Sequence, residues 1–123
     1  MKILLTSTIF YKQEGVYRYV VELAERLVKE HEVHLLTSKY ESKVDGLIVH
    51  ENPIIWSPIS LQVASNALLN ISRIKNLRNA GIDVVNSQGA DAINPDVVTA
   101  HSCHKAAVSK FNKDRGLAYT IQK

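Results

Sequence analysis

Two short β-branched runs in the second half of the chain constrain its fold more than any other feature. The runs are 82–85 and 97–99, and a short spacer broken by Pro95 separates them. Small and polar residues follow each run at its carboxyl end, at 86–89 and 101–104. In an open α/β sheet, ligands bind in the crevice outside the carboxyl ends of the strands. We therefore expect the functional residues of this chain at these two strand ends.

The first half of the chain predicts a strand, a helix and two further strands. Residues 3–5 form a continuous apolar run, which is typical of a strand buried on both faces of a parallel sheet. A helix follows, because apolar residues recur at helical spacing, as Val16, Val20, Leu23 and Leu27. Residues 33–37 and 46–50 read as the second and third strands.

A proline-containing loop and a long helix connect the third strand to the first β-branched run. The loop, 52–58, contains Trp56, either as a hydrophobic lid over the core or as a platform for a ligand. Ser60 is predicted to cap the helix and Gly81 to end it. The predicted buried stripe of this helix comprises Leu61, Ala64, Leu68, Ile71, Ile74 and Leu77. A last helix is expected at 105–111.

This order of elements predicts an α/β fold. Parallel strands joined by right-handed crossovers give a Rossmann-like, doubly wound, mainly parallel sheet of about five strands. With 123 residues, 46% of them hydrophobic, the chain can bury one modest core, so one compact domain is expected.

Charge and composition exclude several partners and compartments. The net charge of +3 is small and its basic residues are dispersed, which argues against nucleic-acid binding. A single cysteine permits no internal disulfide, and no apolar run is long enough for a secretion signal or a membrane span. We therefore expect a cytoplasmic protein. The long helix carries three basic residues, Arg73, Lys75 and Arg78. They form either a solvated face or a patch for anionic lipid head groups at the inner face of a membrane.

The residues at the strand ends are suited to binding a ligand, but they form no known nucleotide-binding motif. The loop after the first strand lacks G-x-G-x-x-G, and no Walker sequence is present. His101, Cys103 and His104 have poor spacing for a tetrahedral metal site, so no metal is predicted. Cys103 is either a nucleophile or a buried thiol. His101 either donates to a polar ligand or is structural, and Gly15 either lets a ligand approach the helix or serves as its N-cap.

Four segments together resemble the opening of a family 4 GT-B glycosyltransferase. They are GVYRYVVELAERL at 15–27, HEVHLLT at 31–37, IDVVNSQG at 82–89 and PDVVTAHSCH at 95–104. The resemblance covers nearly the whole chain, with matching order and spacing. It implies that 1–123 is the acceptor-side N-terminal domain of such an enzyme, and an incomplete one.

The resemblance also implies an activity and a set of site residues. The reaction would be a retaining transfer of a sugar from a nucleotide-sugar donor, such as a UDP- or GDP-sugar, with no metal and no cofactor. Gly15, with Glu14 beside it, would lie against the donor diphosphate. His101 would reach the donor sugar as the catalytic residue. Asn86, Gln88 and Ser102 would face the same cleft, with an acceptor that is either soluble or lipid-linked.

The chain departs from the family pattern in three ways, and these departures leave alternative functions open. Glu14-Gly15 stands where the family has paired glycines, and Asn86-Ser87-Gln88 stands where it has H-x-H. The family's second domain, which supplies most nucleotide contacts, has no counterpart in 1–123, so the isolated chain is expected to be inactive. The alternative is a non-catalytic subunit or interaction module that completes its fold with a partner chain or by self-association through 117–121. A flavodoxin-like regulator is a further, less favoured option.

Overall fold

The computed structural model of the chain describes residues 1–13, 15–53 and 59–101, and the predicted helix at 105–111 and Trp56 lie outside these ranges. The described chain contains seven strands and two helices. The strands are β1 (Lys2–Thr6), β2 (Ile9–Phe10), β3 (Glu32–Thr37), β4 (Lys39–Tyr40), β5 (Leu47–Glu51), β6 (Val84–Gln88) and β7 (Val97–Thr99), and the helices are α1 (Gly15–Leu27) and α2 (Ile59–Asn79).

The main sheet has five strands in the order β5-β3-β1-β6-β7, and every pairing is parallel. The order runs outward from β1 in both directions, so the winding reverses between β1 and β6. This is the Rossmann-like arrangement that the sequence predicts, and the reversal opens a crevice at the carboxyl ends of these two strands. Thr6 lies opposite Ser87, and Gln88 lies opposite Thr99, so β1, β6 and β7 end close together.

A second, two-stranded sheet was not predicted. Ile9 of β2 pairs with Lys39 of β4, and Phe10 pairs with Tyr40. Phe10 is fully buried and its ring stacks on Tyr40 at a centroid distance of 5.6 Å. Strands of two residues have no periodicity to detect, so the sequence does not reveal them. The pairing joins the loop after β1 to the loop after β3.

The core lies on both faces of the sheet, and successive residues of β1 supply one side chain to each. Leu5 packs in the cluster under α1, with Val20, Val21 and Ala24 of that helix. Leu4 packs in the opposite cluster with Ile74 of α2. Both leucines are fully buried, and each such burial stabilises the fold by about 1.5–3 kcal/mol.

The prediction for the buried stripe of α2 was largely wrong. Leu61, Leu68 and Ile71 are 58%, 64% and 47% exposed, whereas Asn66 and Asn70 are buried. Helical periodicity shows which residues share a face, but it does not show which face packs against the sheet. Of the predicted stripe, Ile74 is buried and Leu77 packs beside it. The helix begins at Ile59, so Ser60 lies within its first turn and not before it.

Strand β6 begins and ends later than the β-branched run predicts. It spans Val84–Gln88, so the polar residues after the run belong to the strand itself. Ser87 and Gln88 are buried there. Likewise Val16, predicted as part of the buried stripe of α1, is 41% exposed. Within the described ranges, no helix is both long enough and apolar enough to cross a membrane.

Candidate functional site

A cleft of about 230 Å³ lies at the carboxyl ends of β1 and β6. The start of α1 forms one wall, and the segment after β6 forms the other. Of the predicted site residues, Gln88 and His101 line it. Its full lining is Ser7, Thr8, Ile9, Val16, Tyr17, Gln88, Gly89, Ala90, Asp91 and His101. The cleft therefore lies at the strand ends where the sequence indicates the site.

A line of hydrogen bonds runs through the predicted residues to His101. The Thr99 hydroxyl donates to Asn86 Oδ1 at 3.2 Å, and Gln88 Nε2 donates to the same oxygen at 3.2 Å. Gln88 Oε1 then lies 2.7 Å from His101 Nε2. Asn86 and Gln88 sit two residues apart on β6 and so point to the same face, which brings them together. Asn86 thus reaches the cleft through Gln88.

Tyr19 of α1 holds the His101 ring from the other side. The two rings meet edge to face, with centroids 5.3 Å apart and planes at 71°. This geometry places the positive edge of one ring against the negative face of the other. Two elements of the fold, β6 and α1, therefore orient His101.

Asp91 is a cleft residue that the sequence analysis missed. It is 6% exposed, and it accepts two hydrogen bonds from Thr8, from the backbone N–H at 2.9 Å and the hydroxyl at 2.6 Å. Burial raises the pKa of the Asp91 carboxyl, against the opposing effects of the Thr8 hydrogen bonds and the charge of His101. A buried acid in a cleft is a candidate functional group. Its position shortly after the polar end of β6 is the sequence signal that points to it.

Three buried asparagines support this loop from beneath. Asn66 Nδ2 donates to the Thr8 hydroxyl at 3.3 Å, and Asn70 Nδ2 donates to the Asp91 carbonyl at 2.7 Å. Asn52 Nδ2 donates to the side-chain oxygens of both, at 2.9 and 2.6 Å. Buried amides are stable only when hydrogen-bonded, so this network explains why α2 buries its polar face.

The first turn of α1 is open beside the cleft. Gly15 begins the helix, and a Cβ there would meet no atom within 4 Å. Crowding therefore does not require glycine at this position. The N-cap and ligand-approach interpretations of Gly15 both stay open. Glu14 and Ser102 lie outside the described residues.

No three or more histidine, cysteine, aspartate or glutamate side chains converge on a possible metal site among the residues that the structure describes. His34 Nδ1 and His50 Nε2 lie 2.9 Å apart. They are on β3 and β5, outside the cleft lining. We derive no metal chemistry for the cleft.

Comparison with known proteins decides the family. The family model for Glycosyltransferase Family 4 matches residues 14–121. The chain belongs to glycosyltransferase family 4. The resemblance seen in the sequence is thereby confirmed. No curated protein sequence matches the chain.

A solved structure of WaaG, a glycosyltransferase involved in lipopolysaccharide biosynthesis, has the same fold as this family 4 chain. The TM-score is 0.70 at 16% sequence identity, and the match covers 98% of this chain. It covers 32% of the WaaG chain, so the family 4 chain spans about a third of that protein's length. At this identity the match shows the fold alone, and the fold is the GT-B type that the sequence predicts.

Proposed function

We propose that this family 4 chain is the acceptor-side N-terminal part of a retaining, nucleotide-sugar-dependent glycosyltransferase. The observation that carries the proposal is the cleft between the ends of β1 and β6, where Gln88 and His101 meet the first turn of α1. That crevice is where open α/β sheets bind ligands, and family membership supplies the reaction class.

The proposed donor is a UDP- or GDP-sugar whose diphosphate lies at the start of α1. The first N–H groups of a helix lack helical partners and carry the positive end of its dipole, so they suit an anionic diphosphate. Two observations support this placement. Space is open around Gly15, and the first turn of α1 contains no acidic side chain. Glu14 would adjoin the diphosphate, where its carboxylate would disfavour close approach.

The proposed catalytic residue is His101, which contacts the donor sugar near the transferred bond. A side chain held by Gln88 and Tyr19 can present a hydrogen bond with little loss of conformational freedom on binding. The N–H groups at the start of α1 are the fixed donors that stabilise charge as it develops on the leaving nucleotide. Asn86 and Gln88 serve as neutral hydrogen-bonding groups, and Ser102 is proposed to face the same cleft. No cofactor is included in the proposal.

The direct test compares the complete protein from its source with residues 1–123 alone. Each is incubated with UDP- and GDP-sugars, and release of the nucleoside diphosphate is measured. We expect release by a longer protein with a donor-binding domain and none by 1–123. His101→Ala should lower the rate of the active protein at least about tenfold, which corresponds to about 1.4 kcal/mol of transition-state stabilisation. His50→Ala, outside the cleft, is the matched control. Turnover by 1–123 alone, or an unchanged rate in His101→Ala, contradicts the proposal.

A second candidate is a non-catalytic module completed by a partner chain or a second copy. Val97 and Val98 of β7 are 46% and 56% exposed, although they lie in the main sheet. Among the described strands β7 pairs with β6 alone, and in this candidate a strand of the partner pairs with its other edge. Size-exclusion chromatography with light scattering tests this candidate. An obligate dimer without nucleotide-sugar turnover would favour it, and a stable monomer would contradict it.

We also propose contact of the outer face of α2 with an anionic membrane surface, which suits a lipid-linked acceptor. Leu61, Leu68 and Ile71 project outward, and Lys75 lies on the same side of the helix. Arg78 also lies on this side, where it pairs with Asp96 at 2.8 Å. Apolar burial and attraction of basic residues to anionic lipid favour such binding together, the latter by about 1 kcal/mol per residue.

Co-sedimentation tests this contact with phosphatidylcholine vesicles that contain or lack phosphatidylglycerol. Binding should require the anionic lipid and should weaken in Leu68→Gln. Ile48→Gln, at an apolar position of β5 that is 42% exposed and lies off this helix, serves as the control. If Leu68→Gln binds as well as the unmodified chain does, the proposed membrane face is wrong.

A further inference from the structure

The two amides of β6 stand between a hydroxyl and an imidazole in one continuous line. Thr99 and Gln88 both donate to Asn86 Oδ1, and Gln88 presents its own oxygen to His101. We propose that Asn86 and Gln88 are positioning residues that hold His101 in one neutral tautomer, with its proton on Nε2. This inference rests on the proposed function, because it concerns the residue assigned there to the donor sugar.

The direction of the first bond fixes the direction of the others. With the Thr99 hydroxyl as the donor, Asn86 Oδ1 is the acceptor at 3.2 Å. The NH₂ group of Gln88 is the donor that meets this oxygen, which turns the Gln88 carbonyl toward the ring. A carbonyl oxygen has no hydrogen, so the contact of 2.7 Å requires a proton on His101 Nε2. Nδ1 is then the nitrogen without a proton in the neutral ring.

Burial and the ring contact keep the line from rearranging. Gln88 is 5% exposed, so water competes little for its amide. The edge-to-face contact with Tyr19 opposes rotation of the His101 ring. In many enzyme sites, a hydrogen bond to one ring nitrogen of a histidine determines which of the two nitrogens carries the proton. Here the orienting group is an uncharged amide, so it directs the proton without stabilising the imidazolium by charge.

The same atoms also allow every hydrogen bond of the line to run in the opposite direction. This reversed line is the alternative that the experiment has to distinguish. If both amides were reversed, Asn86 Nδ2 would donate to the Thr99 hydroxyl and to Gln88. Gln88 Nε2 would then donate to His101 Nε2, and the proton of the neutral ring would lie on Nδ1. The two directions therefore predict opposite tautomers of His101.

Long-range ¹H–¹⁵N correlation spectroscopy of the ¹⁵N-labelled chain distinguishes them without any substrate. The His101 signals are assigned from a His101→Gln sample. We expect the pattern of an Nε2-protonated ring above pH 7.5, the range in which neutral histidine predominates. Gln88→Leu should shift the ring toward a mixture of tautomers. Asn86→Asp retains an acceptor oxygen for both donors and should preserve the Nε2-protonated form.

Three outcomes would overturn the proposal: an Nδ1-protonated ring in the unmodified chain, an unchanged tautomer in Gln88→Leu, or a mixture in Asn86→Asp. If Gln88→Leu does not fold, Gln88→Glu replaces it. Its carboxylate favours the doubly protonated ring, so the imidazolium signals should persist to a higher pH. The spectra need no nucleotide sugar, so failure of the proposed transferase activity is separate from failure of the tautomer assignment.

Discussion

The Asp91 carboxylate accepts both the backbone N–H and the hydroxyl of Thr8, at 2.9 and 2.6 Å. These two residues are far apart in the chain and lie on opposite sides of the crevice, after β6 and after β1. The pair therefore ties the two loops that form the floor of the cleft. Because the Thr8 N–H already donates to Asp91, a bound anion has to accept hydrogen bonds from other N–H groups of the loop or of α1.

Removing the Asp91 carboxylate should destabilise the fold in a graded way. Asp91→Ala leaves two Thr8 donors without a partner, and we expect a loss of about 2–3 kcal/mol of unfolding free energy. Asp91→Asn keeps one acceptor oxygen and avoids a buried charge, so its loss should be about 1 kcal/mol. Urea denaturation measures both. Asp45→Asn, with a side chain 96% exposed, is the control, and equal losses in all three variants would refute the assigned role.

The buried face of α2 is tested by one polar and one apolar substitution. Asn70 is fully buried and bonded to Asn52 and the Asp91 carbonyl, so Asn70→Ala should cost about 2–4 kcal/mol. Leu68 is 64% exposed, and Leu68→Ala should change stability by less than about 0.5 kcal/mol. Urea denaturation of both variants gives the comparison. A larger loss in Leu68→Ala would mean that α2 packs the opposite face.

Two glycines at the cleft should respond differently to alanine. Gly89 has φ of 69°, a left-handed conformation that costs a residue with Cβ about 1–2 kcal/mol. Its Cβ would meet no atom, so strain and not crowding sets this loss. Gly15→Ala meets open space at a helical residue and should be neutral or stabilising by up to about 1 kcal/mol. Thermal denaturation measures the difference, and equal shifts in melting temperature would contradict it.

His50 should make stability fall on mild acidification. Burial, followed by the charges of His34 and Arg73, lowers the pKa of the His50 ring below its ordinary 6.5. The unfolded chain then takes up the proton first. The contribution of neutral His50 is therefore fully present above pH 6.5 and is lost as the pH falls from 6.5 toward the lower folded-state pKa.

Urea midpoints between about pH 7.5 and 5.5 measure this effect. We expect a shallower fall in His50→Gln than in the unmodified chain. Ile48→Gln, on the same strand and without a titrating group, should keep the original slope. A fall that is identical in His50→Gln would assign the acid sensitivity to other titrating groups.

The main sheet, α1 and the location of the cleft were predictable because they rest on continuous apolar runs and on helical spacing. Leu4 and Leu5 read as a strand buried on both faces, and both are fully buried. The packed face of α2 was not predictable in this way. Asn66 and Asn70 both bond to Asn52, which follows β5, and Asn70 also bonds to the loop after β6; local sequence does not reveal these partners.

The candidate site was predicted in part. Gln88 and His101 line the cleft, and their residue types and positions at the strand ends indicated this. Asp91 was missed because it follows no strand directly, and its burial depends on Thr8, which lies at the other end of the domain sequence. The functional roles of Gly15, Glu14, Asn86 and Ser102 stay predictions.

The parallel pairing of β1 with both β3 and β6 has a consequence for biosynthesis. β1 leaves the ribosome first, and β3 follows soon after, but the β6 partners of Ile3 to Thr6 are Val84 to Ser87. One edge of β1 therefore stays unpaired until most of the domain has been translated. This strand contains the apolar residues Leu4 and Leu5. Late pairing of this kind slows folding and exposes a strand edge to wrong partners. The nascent chain is accordingly most vulnerable to aggregation before residues 84–88 emerge.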